Sequence, residues 1–260
     1  METTVELVHQ HQVATIWLKA ANERKPPTLD FQTFDRLESI LDEIERGHKN
    51  QPQDWQAVVL RSTSQKFFCA GANIQVLKNL NPKTMDAWII KGHTVLGRIE
   101  ALSAPVIAVV EGYALGGGLE LSLACDFIYA SNEAKFGLTE ARLGFVAGWL
   151  GGYRLSRRIG VPMAKELALT GKIITADEAL RIGIVNYAAS SEQLDSNLEA
   201  TLDMIRQNSS SAMFETKIIL NQCYDGSLSD IAASEIAASR RCIANKDTLD
   251  RIEHFLNKKS

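Results

Sequence analysis

The chain has 260 residues, 28 Lys and Arg against 31 Asp and Glu, and a formal net charge of −3. Hydrophobic residues make up 45% and charged residues 23%, the balance of a globular chain with a large buried core rather than of a disordered one. No excess of basic residues supplies a bulk electrostatic grip on nucleic acid or an anionic membrane, so neither is expected as a partner.

The four cysteines (Cys69, Cys125, Cys223, Cys242) form no C-x-x-C pair and no metal-ligand spacing. Free thiols in a reducing compartment are expected, and no metal. The segment METTVELVHQ is polar and acidic, unlike a secretory signal or an Arg-rich transit peptide. The most apolar run, Ala104 to Val110, is too short to cross a bilayer. A cytoplasmic location is the expectation.

Residues 5–19 alternate apolar and polar around HQHQ and predict a β-hairpin. His9 and His11 lie in a solvated turn on this reading. Phe31, Phe34, Leu37, Leu41 and Ile44 recur at helical spacing over 31–46, with Asp30 placed to cap the start and Gly47 the end. QAVVLRS (56–62) reads as a strand and FCAGAN (68–73) as a glycine-containing turn. Pro82 opens a long amphipathic helix carrying Met85, Trp88, Ile89, Val95, Leu96 and Ile99.

The middle third reads strand (105–112), glycine-rich turn (116–118), helix (119–125), strand (126–131), an alternation that predicts an α/β chain with largely parallel pairing. Beyond about residue 160 the pattern is mostly helical. Thr175/Glu178 and Ser190/Gln193 have capping-box spacing, and Gly183 is a natural stop. The last 60 residues read as two or three helices, a lid or an assembly arm.

Phosphate-loop, dinucleotide, zinc-protease and nucleophile-elbow motifs are absent, and the five histidines are dispersed. Two strand-to-helix turns remain, Ala70-Gly71-Ala72-Asn73 and Leu115-Gly116-Gly117-Gly118. Each leaves backbone N–H groups unpaired at a helix start, and two such turns facing one another make an oxyanion site. Either turn alone is ordinarily just a tight turn. Glu120 lies in the first turn of the following helix among Leu119, Leu121, Leu123 and Ala124, where a carboxylate must be paired or functional. Glu140 follows in a turn-like segment, and two carboxylates in unlike environments can serve as base and acid.

AVVEGYALGGGLELSLACDFIYASNEAKFGLTEARLG (108–144) resembles the signature stretch of the crotonase (enoyl-CoA hydratase/isomerase) superfamily. FFCAGANI (67–74) resembles that family's upstream oxyanion-loop motif, and LTGKIITADEALRIGIVN (169–186) its downstream block. The likeness runs over roughly residues 5 to 190.

The resemblance implies a spiral of β-β-α turns over residues 1–195, a helical region over 196–260 that packs between subunits, and homotrimers or homohexamers. It makes Ala72 and Gly117 the N–H donors to a thioester carbonyl and Glu120 and Glu140 the catalytic pair. The implied reaction is reversible syn addition of water to a 2-enoyl-CoA, in fatty acid metabolism. Glu120 helps activate the water toward Cβ, and Glu140 supplies or removes the Cα proton. Coenzyme A is then part of the substrate, and no separate cofactor is expected. By position Ala70, Asn73 and Ile74 contact the nucleotide part. Phe255 and Lys258 resemble an element that reaches a neighbouring subunit's nucleotide, though Lys258 reads equally as a solvated tail lysine.

The alternatives within the family are double-bond isomerisation and hydration of a cyclic or conjugated dienoyl-CoA or of a carrier-protein thioester. An RNA-binding or non-catalytic member would show a basic stripe or lack the acids.

The sequence departs from the family pattern in places. Asn73 stands where Asp is usual. NERKPPTLDF (22–31) and NKDTLDRIEHFLNKK (245–259) follow the pattern loosely. In GFVAGWLGGYRL (144–155), relatives usually carry Pro-Gly-x-Gly-Gly, with Ala147 here in place of the proline and Leu150 of a glycine. Bulky Trp149 in that stretch is expected to restrict or reshape the acyl pocket.

Overall fold

Thr4–Gln10 (β1) and Val13–Lys19 (β2) pair antiparallel through a two-residue turn. His11 and Gln12 both take positive φ, 47° and 63°, the twist such a turn demands. His9 stacks on Trp55 at 3.9 Å between ring centroids and points Nε2 at Glu43. A computed structural model describes residues 3–20, 22, 25–50, 55–223 and 225–257, the side chains at 48–50 excepted.

Asp30 caps α1 (Phe31–Asn50) as expected, its Oδ1 accepting from the Thr33 N–H at 2.8 Å. Gly47 does not end the helix, which runs on to Asn50. Its missing side chain makes room for Trp55 instead, since a Cβ there would stand 2.4 Å from the indole nitrogen.

The chain then coils: β3 (Ala57–Ser62), β4 (Phe67–Cys69), α2 (Ile74–Asn79), α3 (Pro82–Ala101), β5 (Val106–Val110), β6 (Tyr113–Leu115), α4 (Gly117–Leu123), β7 (Phe127–Ser131) and β8 (Lys135–Gly137). A short 3-10 turn (Glu140–Leu143), α5 (Gly151–Ile159), α6 (Val161–Thr170), β9 (Ile174–Thr175), α7 (Ala176–Ile182) and β10 (Tyr187–Ala189) complete it. One sheet has the order β1-β2-β3-β5-β7-β10, parallel from β2 onward, and the other β4-β6-β8-β9.

The inner strands β3 and β5 of the larger sheet are buried on both faces, which explains their unbroken apolar runs. Val58, Leu60, Val106, Ala108 and Val110 face the main core with α1 and α3. Val59, Ile107 and Val109 point the other way, onto Leu194, Leu198, Leu202 and Ile205 of α8 (Ser191–Arg206). That stripe makes α8 a lid on the sheet, so the expected division after residue 195 falls inside a helix packed on the spiral.

Beyond it lie α9 (Ser210–Gln222), α10 (Leu228–Ile243) and α11 (Lys246–Asn257). They bury little and leave Leu228, Ile236, Ile243, Ile252, Phe255 and Leu256 exposed. Among the described residues no helix is long and apolar enough to cross a membrane, and no His/Cys/Asp/Glu group is placed to hold a metal.

Candidate active site

Strands β4 and β6 are parallel neighbours, so the turns that follow them emerge side by side. Gly71 has φ +87°, and a Cβ there would lie 2.7 Å from the Gly117 nitrogen and 2.9 Å from the Leu115 carbonyl. Glycine is therefore required twice over, by conformation and by the closeness of the two turns.

Leu29 bridges the residues on either side of Ala72: its N–H donates to the Gly71 carbonyl at 2.8 Å and its carbonyl accepts from Asn73 N–H at 2.7 Å. The alternation of an extended chain then turns the Ala72 N–H away from Leu29. Gly117 is the first residue of α4, where an N–H has no intrahelical acceptor. Both residues line one cavity of about 350 Å³, so two backbone donors border a single space.

Glu120, one turn along α4, is 2% exposed. Its Oε1 accepts from Trp149 N–H and Gly151 N–H, both at 2.8 Å. Gly151 N–H is the first of α5 and Trp149 N–H lies just ahead of its N-cap Leu150, so the carboxyl caps that helix from outside. Burial, then the charge of Glu140, push the Glu120 carboxyl up to about 7, against the pull of the two N–H donors and the Arg154 charge.

Glu140 begins the 3-10 turn, and Gly144, at φ +77°, ends it. Burial raises its carboxyl as well. Its Oε2 is buried without a hydrogen-bond partner among the described residues. A Cβ on Gly116 would meet Glu140 Oε1 at 2.9 Å, so the Gly116–Gly118 turn admits the second acid as well as the first donor.

The loop between Gly144 and Gly151 is held at two carbonyls. His93 Nε2 bonds to the Gly148 carbonyl at 2.8 Å, and Arg154 donates to the Trp149 carbonyl at 2.7 Å. Arg154 is 3% exposed and pairs with Glu100 at 3.0 Å. Leu150, in place of the usual glycine, takes the left-handed conformation at φ +65°.

Sequence reasoning did not single out His93 and Arg154. A buried arginine leaves only a weak trace, here a cation at the apolar-facing position of α5. Trp149 is 2% exposed and packs edge-on against Phe34 and Trp88, each at 5.0 Å between centroids.

Of the expected site residues, Ala70, Ala72, Ile74, Gly117, Glu120, Glu140 and Trp149 line this one cavity. Asn73 does not. Its side chain caps α2, Oδ1 accepting from Gln75 N–H at 3.0 Å, which a neutral amide does as well as a carboxylate. Phe255 lies on α11 beside Ile252 and Leu256, away from the cavity. Lys258 is outside the described residues.

A larger cavity of about 570 Å³ separates α9 from α4 and α5. Its charges are spoken for, Arg154 by Glu100 and Lys217 by Asp126 at 2.6 Å, so it offers no comparable set of poised groups.

The family model described as "Enoyl-CoA hydratase/isomerase" matches residues 11–260. A short-chain-enoyl-CoA hydratase of Clostridium acetobutylicum is 35% identical over 231 residues, covering 89% of this chain and 87% of that protein. A crotonyl-CoA hydratase of Syntrophomonas wolfei is 33% identical over 235 residues, 90% of each chain. In structure, the chain is similar to an enoyl-CoA hydratase from Bacillus anthracis, with a TM-score of 0.89, 32% identity and coverage of 99% and 97%. An enoyl-CoA hydratase from Thermoplasma volcanium matches with a TM-score of 0.86, 26% identity and 96% coverage of each.

Proposed function

The chain belongs to the enoyl-CoA hydratase/isomerase family and is an enoyl-CoA hydratase, and we propose that Glu120 and Glu140 are the acid–base pair of its hydration reaction. The observation that carries this is a buried and a half-buried carboxyl, both raised, bordering the same cavity as two backbone N–H donors.

Ala72 N–H and Gly117 N–H receive the thioester carbonyl, whose oxygen gains charge as water adds at Cβ. Donors already in place need no reorganisation as that charge grows. Two like charges in one site oppose each other, so hydration starts from the microstate in which Glu120 is ionised and Glu140 carries the proton. In hydration the ionised Glu120 takes a proton from water, the hydroxyl bonds to Cβ, and electrons move to the thioester oxygen as an enolate. Glu140 then gives its proton to Cα. The proton ends on Glu120, and exchange through the open cavity resets the pair. Both acids border the cavity that holds the two donors, and hydroxyl and proton delivered by this pair to one face of the double bond give a syn addition.

The nucleotide arm enters past Ala70 and Ile74, with Phe255 and Lys258 as contacts contributed by a neighbouring subunit of a trimer or hexamer. The exposed apolar residues of α10 and α11 support such an assembly.

A panel of 2-enoyl-CoA thioesters, followed by loss of enoyl absorbance with product identification, tests the roles. Glu140→Gln is expected to lower kcat by about 10²–10⁴ with little change in KM. Full hydration by that variant overturns the assignment, and isomerised product without hydration from the wild type moves the chain to the isomerase reading.

A further inference from the structure

Two glycines in α3 contrast sharply. A Cβ on Gly97 would meet nothing within 4 Å, whereas one on Gly92 would lie 2.1 Å from Trp149 Nε1 and 2.2 Å from its Cδ1. Neither glycine takes positive φ, so Gly92 is not required by backbone conformation. What Gly92 supplies is space: the pyrrole edge of the indole lies directly on the helix backbone. At the opposite edge, Cζ3 would be 2.3 Å from a Cβ on Gly117. Phe34 and Trp88 close the remaining sides edge-on. The ring thus spans the whole gap between α3 and the start of α4, held on all four sides.

Gly117 is also one of the two donors assigned to the thioester carbonyl. The indole therefore stands against the turn assigned to the thioester carbonyl and forms part of the wall of the same cavity. We propose that Trp149, seated on Gly92, is the specificity-determining residue that closes the inner end of the acyl space and restricts this hydratase to short-chain 2-enoyl thioesters. The inference rests on the hydratase reading above. It deepens that reading by naming the substrate class and the pair of residues that sets it.

The experiment measures kcat/KM for crotonyl-CoA and trans-2-decenoyl-CoA in the wild type and in Trp149→Leu, Trp149→Phe, Gly92→Ala and Gly97→Ala. The wild type is expected to favour crotonyl-CoA. Trp149→Leu is expected to shift the ratio of the two constants toward decenoyl-CoA by about tenfold or more, the discrimination one or more methylenes produce in an apolar pocket. Trp149→Phe, which keeps an aromatic ring of smaller reach, shifts it in the same direction and serves if the leucine variant does not fold. Gly92→Ala displaces the indole and lowers crotonyl-CoA turnover about tenfold, while Gly97→Ala leaves it unchanged.

A wild type that hydrates both thioesters equally overturns the inference, as does an unchanged ratio in a folded Trp149 variant. Equal effects of the two glycine substitutions do the same. A wild type that hydrates no 2-enoyl-CoA refutes the hydratase reading itself, a result distinct from all of these.

Discussion

Glu120→Gln isolates what the buried acid costs the fold. The carboxyl is pushed from 4.5 up to about 7 by burial and by Glu140. At about 1.36 kcal/mol per pH unit, that displacement is worth about 3 kcal/mol. The sign follows from the direction. A raised carboxyl binds its proton more tightly when folded, so the contribution is whole below about 4.5 and is lost as pH rises through about 7. Glutamine keeps an oxygen for the Trp149 and Gly151 N–H groups without carrying a charge. Urea unfolding at one protein concentration should therefore show the variant gaining on the wild type by about 3 kcal/mol between about pH 4.5 and pH 8. The same variant should lose about 10²–10⁴ in kcat. Parallel stability curves across that range, with activity lost, would refute the claim that burial and Glu140 hold this carboxyl up.

Gly71→Ala places a Cβ 2.7 Å from the Gly117 nitrogen at φ +87°, and should lower kcat about 10²–10³ by spreading the two donors. Substrate-binding calorimetry that finds affinity and turnover unchanged would contradict the close apposition of the turns. Arg154→Met removes the 3.0 Å partner of Glu100, which keeps only Arg157 at 3.7 Å, leaves the Trp149 carbonyl without its donor, and should cost about 1–3 kcal/mol in denaturant. It also removes a charge that lowers Glu120, so the midpoint of the pH–rate profile assigned to that acid should move upward. Light scattering should give the mass of three or six subunits, and a monomer at micromolar concentration would overturn the assembly.

What could be read from sequence follows from how each element is held. The run 106–110 and the stripe of α3 bury enough apolar surface that pattern alone locates them. β6 and β8 have three residues each and β9 two, too few for any period. Their existence depends on the coil that brings them together. Gly47 shows the opposite failure. A glycine after a helical stripe suggests a stop, but this one answers to Trp55, some residues further along.

At the site, Glu120 stood out because a carboxylate among leucines must be accounted for. His93 acts on a carbonyl 55 positions along the chain, and Arg154, though it reaches back only five residues to the Trp149 carbonyl, takes its ion partner Glu100 from 54 positions earlier; no local spacing encodes either. Trp149 was expected to shape the pocket from its bulk, yet its seat at Gly92 lies 57 positions earlier in the chain and is visible only in three dimensions.

The order of strands also bears on how the molecule is made. β2, β3, β5, β7 and β10 stand beside one another in the order they occur in the chain, as do β4, β6, β8 and β9. A ribosome, which releases the N-terminal end first, therefore delivers each strand after the edge it must join. The two turns proposed to receive the thioester carbonyl share this schedule: the Ala72 loop is laid down before the Gly117 turn that packs on it. Half of the proposed oxyanion site can thus serve as the template for the other half.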